Sequence, residues 1–70
     1  MTTKEKLALI EEGLGLKANS LTEGTELNTL QTWDSLNILG LQIKLTAINP
    51  DLQFHQLFEC NTAGEICGLI

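Results

Sequence analysis

The stretch LNILGLQIKLTAI, residues 36–48, is the longest apolar segment of a 70-residue chain, and its reading decides the fold. From Leu39 to Ala47 it alternates. Leu39, Leu41, Ile43, Leu45 and Ala47 are apolar, with Gly40, Gln42, Lys44 and Thr46 between them. A period of two is the pattern of a half-buried strand. Wound as a helix, the same segment puts Leu36, Leu39, Ile43 and Ala47 on one face and Ile38, Leu41, Leu45 and Ile48 on another. A helix so broadly apolar belongs deep in a core. Two local signals decide for the helix. Asp34 is a good N-cap just before the run, and Asn49-Pro50 is a good stop after it. A length of about 14 residues exceeds most strands, and no second strand-like run exists to pair with it. The expectation is therefore a helix over residues 35–48. Leu39 and Leu45 should face core on opposite sides, and Asn37, Gly40, Gln42, Lys44 and Thr46 should be exposed.

Working outward, TTKE at residues 2–5 fits a capping box, with Thr2 as N-cap and Glu5 three residues on. Leu7, Ile10 and Leu14 follow at spacings of three and four, which makes an amphipathic first helix, stopped by Gly13 and Gly15. Residues 16–33 keep no period, yet carry Leu21, Leu27, Leu30 and Trp33. A solvated linker does not need four large apolar anchors, so this long connection should drape over the core, with Trp33 packing it down. Loops of this length in compact domains are usually functional. Beyond Pro50, Leu52, Phe54, Leu57 and Phe58 suggest a short helix. NTAGEICGLI, residues 61–70, opens on a second capping box at Thr62 and Glu65 and suggests another. The reading is all-α, one domain over residues 1–70.

Nine acids stand against four lysines and no arginine, a net charge of −5. That argues against nucleic acid, for which a basic patch supplies most of the affinity, and against an anionic membrane surface. The apolar fraction of 43% is that of a folded domain rather than a disordered one. No run approaches a membrane span, and the first residues lack the apolar core of a signal peptide. The expected compartment is the cytoplasm, where Cys60 and Cys67 stay reduced. His55, Cys60 and Cys67 are one ligand short of a structural zinc site. No metal is expected, and both cysteines read as small core residues.

The site reading rests on WDSL, residues 33–36. In its plainer form Asp34 caps a helix and Ser35 fills its first position. In the other, position matters: the first turn gathers unpaired N–H groups and the positive dipole end, which favour a phosphate ester on Ser35. Nothing beside Ser35 makes it a catalyst. The one histidine, His55, is far along the chain, and a nucleophilic triad also needs an orienting acid and an oxyanion hole. No catalytic residue is expected. Ser35 reads as a substrate of modification.

TWDSLNILGLQIKL, residues 32–45, resembles the phosphopantetheine attachment site of acyl carrier proteins, particularly stand-alone carriers with a Trp-Asp-Ser-Leu motif. LTEGTEL, residues 21–27, resembles the loop anchor ahead of that motif, and NTAGEICGLI resembles the Thr-x-x-Asp/Glu-Ile opening of the last helix. The resemblance implies a small four-helix bundle of acyl-carrier type with a long loop between its first and second helices. It implies 4′-phosphopantetheine attached covalently to Ser35, with Asp34 capping the helix and positioning the donor, and Leu36 touching partner enzymes. It implies a monomer that is not an enzyme and carries acyl or aminoacyl groups as thioesters. The partners implied are a phosphopantetheinyl transferase, an acyl- or aminoacyl-loading ligase, and condensing or acyl-transfer enzymes. The chain departs from the family in having no acid along its second helix, where carriers usually present acids to basic patches, which suggests a dedicated partner set. A rival stays open: an unmodified module of the same fold that acts only by protein–protein interaction.

Overall fold

The computed structural model describes residues 1–70. Four α-helices run α1 (Thr3–Leu14), α2 (Ser35–Leu45), α3 (Phe54–Phe58) and α4 (Ala63–Cys67), with a 3-10 turn at Leu27–Thr29 inside the long connection. There are no strands, only one isolated bridge between Glu26 and Thr62. α1 packs against α2 and α4, and α2 also packs against α3.

The caps are where local sequence placed them. Thr2 accepts a hydrogen bond from the Glu5 backbone N–H, and the Glu5 carboxyl accepts in return from the Thr2 N–H. Those bonds, the backbone one first, hold the Glu5 carboxyl below its ordinary 4.5. At the other end of α1, Gly15 takes the left-handed conformation at φ 70°, with Leu16 N–H donating to Glu11 O and Gly15 N–H to Glu12 O. Glycine suits this terminator because a Cβ would be strained there. Gly13, expected as a stop beside Gly15, lies inside the helix instead. α2 crosses α1 at this point, and a Cβ on Gly13 would lie 2.6 Å from Leu41 Cδ1.

α2 is a helix, not a strand, but it differs from expectation in three ways. It ends at Leu45 rather than at residue 48, because Thr46, Asn49 and Pro50 turn the chain: Asn49 N–H returns to Leu45 O, and Pro50 forces Asn49 away from helical geometry. Leu39 does not face core; it is 44% exposed, while Leu45 is fully buried. The helix is covered on one side only, by α1 and α3, so only the arc of Ile38, Leu41 and Leu45 goes inside. Each of those three side chains contributes roughly 1.5–3 kcal/mol by leaving water. Third, of the five polar or small residues expected outside, only Gly40 is exposed; Asn37, Gln42, Lys44 and Thr46 are half-buried. Gln42 donates to Leu52 O and Lys44 pairs with Glu12 at 3.4 Å, which draws both down against neighbouring elements.

The connection before α2 drapes over the core as its apolar anchors require. Leu21 and Leu27 are buried, and Leu30 and Trp33 pack against the same cluster as Ile10, Leu14, Leu52, Leu57 and Ile66. Glu11 holds its first part in place. This nearly buried carboxylate accepts from Asn19 N–H at 3.1 Å and Leu21 N–H at 2.9 Å, satisfying donors the loop could not pair itself. The later part is clamped to the start of α4: Leu27 N–H donates to Asn61 O, Ala63 N–H to Thr25 O and Gly64 N–H to Glu23 O. Gly64 permits that approach, since a Cβ there would sit 2.9 Å from Glu23 O.

α3 is the turn or two of helix that the apolar run after Pro50 suggested. Leu52 is buried just ahead of it and Leu57 within it, while Phe58 is exposed and stacks on Phe54 at 5.9 Å. α4 begins on the expected Thr62–Glu65 box. Lys6 reaches from α1 to donate to Cys67 O at the end of α4 and to Ile70 O beyond it.

Candidate functional site

The connection enters α2 through two backbone bonds, Trp33 N–H to Leu30 O and Asp34 N–H to Thr32 O. Asp34 then adopts extended geometry as N-cap. One of its carboxylate oxygens accepts from Asn37 N–H at 2.9 Å and the other from Asn37 Nδ2 at 3.3 Å. Both oxygens are thus turned to the helix's own donors. Asp34 caps the helix through both oxygens.

Ser35 follows as the first residue of α2. It is exposed, and none of the hydrogen bonds at this helix start uses its hydroxyl. The hydroxyl lies at the positive end of an eleven-residue helix, beside N–H groups with no partner inside the helix. Leu36, next along, is 79% exposed. The structure therefore brings Asp34, Ser35 and Leu36 together at one helix end. It shows an accessible hydroxyl in a favourable field for a phosphate.

The surface hollows lie elsewhere. One is lined by Met1, Glu5, Ala8, Leu9 and Glu12 and the other by Ala8, Glu11, Glu12, Leu16 and Ala18, both along α1. Neither is formed by residues 33–36.

No three of the chain's His, Cys, Asp and Glu side chains gather as a metal-holding group. Cys60 and Cys67 are free thiols, half-buried and buried. Trp33 packs on the core, as its place in the loop suggested. No helix is long and apolar enough to cross a membrane.

Sequence reasoning missed one feature of this region. Leu39 and Ile43 are 44% and 62% exposed, and with Leu36 they form an outward apolar row along α2. The signal was present in the helical arc of Leu36, Leu39, Ile43 and Ala47. Taking the whole helix as buried hid it.

Comparison of the chain with protein-family models, curated proteins and solved structures finds no match.

Proposed function

We propose that the chain is an acyl carrier protein, its four helices forming a bundle of acyl-carrier type with Ser35 as the attachment point for 4′-phosphopantetheine. The observation that carries this reading is the Ser35 hydroxyl. It is exposed and free of internal hydrogen bonds, at the N-terminus of α2 directly after a capping Asp34, within a Trp-Asp-Ser-Leu motif. An attached phosphodiester fits these residues: the helix end offers uncompensated N–H dipoles, and no side chain has to move to admit it. When attached, the arm supplies a thiol that holds an acyl or aminoacyl group as a thioester. The chain's own residues present that arm. They supply no general base and no oxyanion hole, so the chemistry belongs to partner enzymes: a phosphopantetheinyl transferase, a loading ligase, and condensing or acyl-transfer enzymes.

A second reading is favoured by the apolar, acid-free outer row of α2, which suits a module that only binds a protein partner. Intact mass separates the two. Incubated with coenzyme A and a broad-range phosphopantetheinyl transferase, the parent chain should gain one phosphopantetheine. Ser35→Ala should gain nothing while keeping the parent's far-UV dichroism. A parent chain that stays unmodified, or an alanine variant that is modified, sinks the carrier reading.

A further inference from the structure

Both surface hollows of the molecule lie on one helix, and they adjoin. Ala8 and Glu12, one turn apart on α1, line the two of them; Met1, Glu5 and Leu9 complete the first, and Glu11, Leu16 and Ala18 the second. Together they make a shallow trough along the side of α1 that α2 and α4 leave uncovered. At 1.5 Å per residue, the twelve residues of α1 give that trough a length of about 18 Å. Met1 is 64% exposed at one end, Ala8 is exposed in the middle, and Leu9 and Leu16 are only partly drawn into the core.

Charge decides what can cover this face. Glu5, Glu11 and Glu12 line the trough and no lysine does. Hydrogen bonds from Thr2 hold the Glu5 carboxyl below its ordinary range, so it stays charged. Glu11 is spent inside on Asn19 and Leu21 and adds its field rather than a contact. Glu12 is 71% exposed, and its one partner is Lys44 at 3.4 Å, a surface pair of the kind that exchanges partners at little cost. Lys44 and the Met1 amine are the cations close by, and the chain as a whole carries −5. A second copy laid on this face would set glutamates against glutamates, and nucleic acid or an anionic membrane would be repelled. A cation is the complement.

Size decides its form. The hollows measure about 290 and about 340 Å³ and are open, at the lower edge of what encloses a small molecule. Two adjacent hollows along a helix instead match two side chains one turn apart on a second helix, the spacing by which amphipathic helices fill grooves. We propose that the outer face of α1 docks a cationic amphipathic helix of a partner protein, which seats one apolar side chain in each hollow and sets lysine or arginine over Glu5 and Glu12. The inference does not rest on the carrier reading, since no residue of the trough belongs to the Ser35 site.

The test follows amide shifts of the unmodified, labelled chain during titration with three synthetic helical peptides of about 16 residues, enough to span the trough. The first carries two leucines four positions apart, flanked by lysines; the second replaces its lysines by glutamine; the third replaces its leucines by alanine. The first should bind with its largest shifts over residues 5–18, and each of the others about fivefold or more weakly, because both the charge and the anchors are needed. Ala8→Gln, which fills the place shared by the hollows, should raise Kd about fivefold. Glu12→Gln should raise it about threefold. Both positions are exposed and glutamine is a good helix former, so both variants should keep the parent's far-UV dichroism. Ser35→Ala should bind the first peptide as the parent does, which separates this surface from the fate of the arm. No binding of the first peptide at millimolar concentration overturns the proposal. So do shifts spread equally over Glu23, Glu26, Glu59 and Glu65, which would mean attraction by net charge alone, or a Kd that Ala8→Gln leaves unchanged. A dimer in sedimentation that Ala8→Gln dissolves assigns the trough to a second copy and overturns it as well.

Discussion

Burial pushes the Cys60 thiol from its ordinary 9.0 up to about 11, with the nearby charges of Glu65 and Glu59 adding to the rise. Cys67 is raised as well, again by burial first, against a lowering pull from Lys6. A thiol raised in the fold keeps its proton there while the unfolded chain loses its own. Cys60 therefore contributes stability that is fully present below pH 9 and is lost as pH climbs from 9 through 11. The gap in urea midpoint between the parent and Cys60→Ala should narrow across that window, and iodoacetamide at neutral pH should label the folded chain far more slowly than the unfolded one. A gap that widens with pH means Cys60 is not shielded as described. At this scale the sequence was most readable where a signal is complete within a few residues. Thr2 with Glu5, Asp34 before the apolar run, and Thr62 with Glu65 each cap a helix start through bonds spanning three positions. Ser35 inherits its place from one of them.

For whole elements, α2 shows why the rest was less legible. Its two apolar arcs are nearly equal in hydropathy, and a single sequence does not say over which arc the neighbouring helices will lie. α1 and α3 cover Ile38, Leu41 and Leu45; Leu36, Leu39 and Ile43 face out. Gly13 was misread for the same reason, since its role depends on Leu41 arriving from a distant part of the chain. The two arcs should separate sharply on truncation. Leu45→Ala leaves a cavity in a packed interior and should cost about 2–5 kcal/mol, enough to unfold much of a domain this size. Leu39→Ala on the open side should cost less than about 1 kcal/mol. Urea titration of both variants decides the matter, and equal losses would place the helix in the wrong rotation about its axis.

The whole molecule, about 26 × 26 × 18 Å, is small enough that its long connection is part of its core rather than an ornament on it. Composition and hydropathy revealed the anchors Leu21, Leu27, Leu30 and Trp33. They did not reveal where the connection's backbone is held, because backbone-to-backbone bonds leave almost no trace in side-chain chemistry; Gly64 is the one residue that marks the clamp onto α4. That clamp has a consequence in time. Leu27 with Asn61, Thr25 with Ala63 and Glu23 with Gly64 each join residues about half the chain apart, so the entropy of closing the intervening loop is spent before any of them forms. Such contacts belong after the folding barrier, and disturbing them should change how fast the domain comes apart and not how fast it assembles. In stopped-flow urea jumps, Gly64→Ala, which crowds Glu23 O and should cost about 1–3 kcal/mol, is expected to raise the unfolding rate while the refolding limb stays put. A slowed refolding limb would put the clamp among the first contacts made. Native lifetime is then set at the junction of the connection with α4, through bonds that leave the helix presenting Ser35 untouched.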